Sequence, residues 1–185
     1  KMQIICPGEF VHQPQAAGGG STRELARAGY GAPFWRLCID GHAATGPLAT
    51  FPGMTRILAV VGGAGMAFDT PIGWMTAMPM QPLRFSADLR LQGQLLAGPV
   101  RAVSLIFDPA RWNARLEALR ATRCLAPADG GVAMVVCLGG GMRIGGQEVP
   151  PGAVARIETG ESVLLPATNA ALVADLRPLD HGARR

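Results

Sequence analysis

At 185 residues, with 49 % apolar and 16 % charged side chains, the chain is apolar enough to bury a substantial core and too hydrophobic to be disordered. Its 25 glycines and 15 prolines are dispersed without a period, which suits many short strands joined by tight turns. The formal charge is +4, but Lys occurs once, several arginines sit singly at the ends of apolar runs with no Lys/Arg block, and aromatics are few, so the clustered basic face or aromatic platform of a nucleic-acid binder is not expected.

Met2–Cys6 reads as a short strand closed by Pro7-Gly8. A glycine-rich stretch follows, Gly18-Gly19-Gly20-Ser21-Thr22-Arg23-Glu24. Three glycines let the backbone turn and let another group approach closely, and the residues after them supply hydroxyls, a cationic fork and a carboxylate. Ser21 to Ala28 suits either a helical turn, with Ser21 and Glu24 spaced as a capping box, or a strand with its polar face inward. Phe34–Asp40 alternates as a half-buried strand, with Trp35, Leu37 and Ile39 on one face and Arg36 and Cys38 on the other.

Gly46-Pro47 and Pro52-Gly53 are turns around a short strand, Leu48–Phe51. Arg56–Val61 is the strongest strand of the first half, and Gly65–Phe68 after Gly62-Gly63 is expected to close a hairpin with it. This longest apolar run, around Ile57–Phe68, is broken by glycines and too short to span a bilayer, so no membrane partner is expected. Residues 69–82 form a loop or an edge strand, and short strands follow at Leu83–Ala87, Gln94–Leu96 and Val100–Phe107. Asp108 can cap a helix with Pro109 in its first turn and Trp112, Leu116 and Leu119 at near-helical spacing, which predicts one short helix up to Arg123. Five further strand patterns run from Val132 to Leu176, separated by glycine and Pro-Pro-Gly turns.

Strands at this spacing predict a sandwich or barrel. The order of the second half matches a cupin half-barrel, so the expected fold is an all-β bicupin of two cupin-like halves. Its divisions are an N-terminal half at 2–107, a helical connection at 108–126 and a C-terminal half at 127–180, packed as one unit.

The chemistry is sparse. His12, His42 and His181 are unpaired in sequence and give no three-nitrogen metal set, and a lone His42 beside Asp40 reads as solvated. Ser21, Cys38 and Ser104 lack a Gly-x-Ser-x-Gly elbow, and the glycines lack the ending of a phosphate-binding loop. No metal and no cofactor is therefore expected. Cys6, Cys38, Cys124 and Cys137 form no Cys-x-x-Cys pair and, with no signal peptide ahead of them, read as reduced cysteines of a cytoplasmic protein. What remains is arginine on strand positions opposite apolar ones, Arg36, Arg56 and Arg101. If these point into a barrel, Glu24, Asp40 or a carboxylate ligand must neutralise them.

Gly18–Glu24, the Trp35-Arg36 strand, the block Gly46–Arg56 and the segment Leu95–Ser104 together resemble the HutD/Ves family, whose members carry Trp-x-Asn-Gly-Gly-Gly-x-Thr-Arg-Glu, Trp-Arg, Gly-Pro-Phe-Ser-x-Phe-Pro-Gly-x-x-Arg and Leu-x-x-Gly-Pro-x-x-x-Asn blocks. The match covers roughly residues 8 to 107. Gln15-Ala16-Ala17 stands where the family usually has Trp-Lys-Asn, and Ser104 where it has Asn. The resemblance implies a bicupin linked to histidine utilisation or to stress response, regulating through a small bound metabolite, with no established catalytic activity.

The expected ligand is a small anionic or zwitterionic metabolite, held by Gly19, Gly20, Ser21, Thr22, Arg23, Glu24, Arg36, Phe51, Arg56, Arg101 and Ser104. Rival readings are a metal-free isomerase or lyase using Glu24, and a structural partner protein with a filled pocket. A homodimer stays open.

Overall fold

The computed structural model of the chain describes residues 1–14, 20–168 and 170–180. Among them the backbone forms strands and one 3₁₀ turn, Pro7–Glu9. In chain order the strands are β1 (Gln3–Ile5), β2 (Val11–Pro14), β3 (Ser21–Arg27), β4 (Trp35–His42), β5 (Gly46–Pro47), β6 (Thr55–Gly62), β7 (Met66–Thr70), β8 (Gly73–Ala77), β9 (Leu83–Ser86), β10 (Gln92–Leu95) and β11 (Val100–Phe107). They continue as β12 (Trp112–Ala118), β13 (Arg123–Leu125), β14 (Val132–Cys137), β15 (Met142–Ile144), β16 (Gln147–Val149), β17 (Val154–Glu158), β18 (Val163–Leu165) and β19 (Ala171–Pro178).

A six-stranded sheet, β2-β3-β4-β11-β6-β9, lies back to back with a five-stranded one, β1-β17-β14-β19-β12. Alternation on each strand gives the sheets two buried faces. On β4, Trp35 and Leu37 join Leu105 and Phe107 of β11 against Trp112, Met134 and Leu176 of the facing sheet. The other face of the six-stranded sheet closes over β5-β10-β7-β8 around Leu58, Val60, Met66 and Phe68. The other face of the five-stranded sheet closes with β13-β18 and β15-β16 around Val135, Ile144, Ile157 and Leu165. The result is an all-β, cupin-like pair of half-barrels.

Residues 108–126 do not form the expected helical connection. Trp112–Ala118 is strand β12, paired antiparallel with β19 from Trp112↔Pro178 to Ala118↔Leu172. Trp112, Ala114 and Leu116 are buried while Asn113, Arg115 and Glu117 are exposed, so the four-residue step from Trp112 to Leu116 is two strand repeats rather than a helical turn. Asp108 caps only a turn: its Oδ1 accepts from Ala110 N at 2.9 Å, and its carbonyl accepts from Arg111 N at 3.1 Å and Trp112 N at 3.0 Å. The segment thus belongs to the C-terminal sheet, as does β1, which pairs with β17.

The expected hairpin of Arg56–Val61 with Gly65–Phe68 is likewise absent. β6 lies between β11 and β9, and β7 between β10 and β8, so Gly62–Gly65 carries the chain from one sheet to the one facing it. Gly63 has φ +91°, and a Cβ there would sit 2.3 Å from the Pro99 carbonyl, which no side-chain-bearing residue tolerates. Of the alternatives left open, Ser21–Arg27 is a strand, and residues 73–77 form the edge strand β8.

Candidate functional site

The inner face of the N-terminal half-barrel carries polar side chains from β3, β4, β11 and β6 beside the apolar cluster around Leu58 and Val60. Period two on β4 turns Arg36, Cys38 and Asp40 away from the inter-sheet core, and β3 adds Thr22 and Glu24. The register shift between Glu24 and Ala26 lets both Leu25 and Ala26 reach the core while Glu24 stays inside. Ser104 of β11 faces Cys38 on one side and Leu58 on the other, and Arg56 of β6 is one row further along.

Thr22 Oγ1 donates to Asp40 Oδ1 at 2.6 Å. Arg36 Nε lies 2.9 Å from Glu24 Oε2, a short ion pair whose N–H is not aligned as a hydrogen bond, and its Nη2 donates to Gln13 Oε1 at 3.0 Å. Arg27 Nε adds a longer contact to Glu24 Oε1, 3.6 Å. Glu24 is therefore clasped by two guanidiniums.

Arg56 is different. It is 2 % exposed, its Nη2 donates to the Ala49 carbonyl at 2.8 Å, and its guanidinium lies 5.6 Å from the centre of the Phe51 ring. Among the described residues it forms no ion pair, and its Nε is buried without a hydrogen-bond partner. Burial pulls its pKa below the usual arginine value, and the neighbouring Cys38 and Asp40 oppose that. A buried cation left so is costly unless an anion joins it.

Burial, reinforced by Asp40, pushes the Cys38 thiol up to about 12, against the pull of Arg36 and Arg56. Cys38 is thus a packing thiol, not a nucleophile. Alkylation of the native protein at pH 8 is expected to label the exposed Cys124 first and to leave the buried Cys38 and Cys137 unmodified, as read by peptide mass spectrometry. The Ser104 hydroxyl is fully buried and unpartnered. Ser104→Ala is therefore expected to raise the unfolding free energy of the unliganded protein by up to about 1 kcal/mol, measured by denaturant melts, because an unsatisfied buried polar group costs about 1–3 kcal/mol.

Of the residues expected to hold a ligand, Thr22, Glu24, Arg36, Arg56 and Ser104 share this inner face, with Phe51 stacked on Arg56. Arg23 is exposed, in register opposite Ile39 on the other face of the sheet. Gly20, Ser21 and Arg101 stand apart, beside a cavity with Gly41 and His42. Gly19 and Gln15-Ala16-Ala17 lie outside the described residues. The sequence reading missed Gln13, and it took His42 as solvated. His42 is instead half-buried, its Nε2 enclosed without a partner, and its pKa is lowered by burial, opposed by Asp40 and furthered by Arg56. It continues the inward row of Arg36, Cys38 and Asp40 two residues on, a signal that the period of β4 already carries.

Among the described residues every buried polar or charged side chain, Glu24, Asp40, Arg56, Thr70 and Ser104, belongs to the N-terminal half. The C-terminal half-barrel is filled by apolar side chains among the described residues.

The family pattern described as HutD matches residues 8–177. The chain belongs to the HutD family. An uncharacterized 21.2 kDa protein in the hutC 3' region of Pseudomonas putida is 31 % identical to this HutD-family chain over 129 residues, 63 % of this chain and 64 % of that protein, so the match spans just under two thirds of the relative. HutD of Pseudomonas fluorescens SBW25, solved in a formate condition, superposes with a TM-score of 0.83 at 25 % identity, covering 97 % of this chain and 100 % of its own. A conserved protein of unknown function from Pseudomonas aeruginosa PAO1 gives 0.80 at 25 % identity, over 96 % and 99 % of the two chains. A bacterial pirin from Escherichia coli in complex with nickel(II), at 12 % identity and a TM-score of 0.69, shares the fold alone. Among the described residues of this HutD-family chain no helix is long and apolar enough to cross a membrane.

Proposed function

We propose that this HutD-family chain binds a small carboxylate-bearing metabolite in its N-terminal half-barrel and acts, in the cytoplasm, as a sensor or regulator tied to histidine utilisation rather than as a catalyst. The observation that carries this reading is Arg56: buried, in no ion pair among the described residues, and with an unpartnered Nε. Of the three ways to neutralise the inner arginines, Glu24 is taken by Arg36 and Arg27, and Asp40 forms no ion pair with either inner arginine. A ligand carboxylate is the remaining one. It would meet a planar fork of donors already fixed by the Ala49 carbonyl and the Phe51 ring, with Ser104 alongside.

The rival role for Glu24, proton transfer in an isomerase or lyase, fits poorly with a carboxylate braced on both oxygens by guanidiniums. The link to histidine utilisation rests on the family and on the hutC neighbourhood of the Pseudomonas putida relative. A thermal-shift screen of histidine-pathway metabolites and other small carboxylates tests the reading. At least one compound is expected to raise the melting temperature, and a screen in which none does removes the reading.

A further inference from the structure

The separation of Arg101 from Arg56 leaves a second feature unexplained. A cavity of about 210 Å³ lies between Gly20, Ser21, Gly41, His42, Val100 and Arg101, at the end of β4 away from Arg36. Arg101 pairs in register with Gly41, and Gly41 with Ser21, so three neighbouring strands bring these residues to one rim. Period two along β11 puts Arg101 on the face opposite the inner row that Ala102 and Ser104 follow, and the register shift beside it places the extra residue, Val61, on β6. Gly41 matters here because a Cβ would come within 3.3 Å of Ser21 Oγ and crowd the rim.

Among the described residues the lining carries one arginine and no carboxylate. Arg101 is exposed and forms no ion pair among the described residues. His42, whose Nε2 is enclosed without a partner, forms part of the wall. At roughly 30 Å³ per water, the space equals about seven waters, room for a small ion with some of its hydration but not for a nucleotide. Asp40, the nearest acid along β4, already accepts from Thr22 on the inner face.

We infer that this cavity is a second site, distinct from the one at Arg56, for a small oxyanion such as a carboxylate or inorganic phosphate, held by the Arg101 guanidinium with the His42 ring at its side. Arg56 pairs across Ile106 with the Arg36 end of the inward row Arg36, Cys38, Asp40, His42, and Arg101 pairs with Gly41 at its other end, so His42, which lines the cavity, is the residue of that row placed to report occupancy.

The test is an NMR titration of the full chain with formate, acetate or phosphate against chloride at matched ionic strength. It follows the His42 imidazole signal, assigned by its loss in His42→Gln. The expected result is a saturable shift that weakens at least tenfold in Arg101→Gln and is unchanged in Arg56→Ala. Arg101 is an exposed side chain, so its variant keeps the fold, and a shared melting temperature with the native chain checks that. Saturation by formate and acetate alone identifies a carboxylate site, and saturation by phosphate alone an inorganic one. A shift that chloride reproduces, one that survives Arg101→Gln, or one lost only in Arg56→Ala overturns the inference. The last of these would assign the anion to the metabolite site instead, leaving that reading intact.

Discussion

Arg56→Met is expected to melt at or slightly above the temperature of the native chain without ligand, and to lose all ligand-induced stabilisation. The native guanidinium is buried and forms no ion pair among the described residues, a situation that costs several kcal/mol. Its bond to the Ala49 carbonyl and its position over Phe51 return about 1.5–3 and up to about 2 kcal/mol respectively. Methionine keeps much of the stem, packs beside Leu58 and Phe51, and removes the uncompensated charge, so the unliganded balance tips by about 1 kcal/mol toward the variant. With a ligand at 100 times its dissociation constant the native chain gains about 2.7 kcal/mol, and the variant gains nothing. Paired melts with and without ligand read both effects. A variant that melts well below the native chain would make Arg56 a structural residue and favour a partner protein with a filled pocket. A variant that keeps the ligand shift would move the site elsewhere.

The second large effect is structural. Glu24→Gln is expected to destabilise the protein by roughly 2–3 kcal/mol, because it leaves the largely enclosed Arg36 without its counter-charge. Breaking a fully buried pair costs about 3–5 kcal/mol, and the partial exposure of Arg36, 14 %, reduces that. Adding Arg36→Met to Glu24→Gln is expected to recover most of the loss, so the double-mutant cycle shows a coupling of about 2 kcal/mol. Denaturant melts of the four proteins measure it. Near-additive losses would mean that the pair holds nothing and that Glu24 is free for other work, which would reopen the catalytic alternative.

Much of this was legible in the sequence. The alternation of Trp35 to Asp40 places Arg36 and Cys38 on the face opposite Trp35 and Leu37, and the structure puts them there. The same parity separates Thr22 and Glu24 from Ser21 and Arg23 on β3, and Ser104 from Arg101 on β11, so six residues grouped by motif divide between the two faces of the sheet by strand geometry. The helix expected after Asp108 failed because a four-residue apolar step satisfies both periods and because capping chemistry also closes turns. The hairpin after Val61 failed because glycine signals a change of direction without saying into which sheet the chain turns. Gln13 was invisible, since its contact with Arg36 crosses 23 residues and depends on β2 pairing beside β3.

The most direct test of the carboxylate site is a crystal structure of the native chain with the strongest compound from the thermal-shift screen. The account predicts a carboxylate oxygen within hydrogen-bond reach of Arg56 Nε, between Phe51 and Ser104, with the Glu24–Arg36 pair undisturbed. A ligand bound away from Arg56, or one that replaces Glu24 on Arg36 while Arg56 stays unpaired, would contradict it.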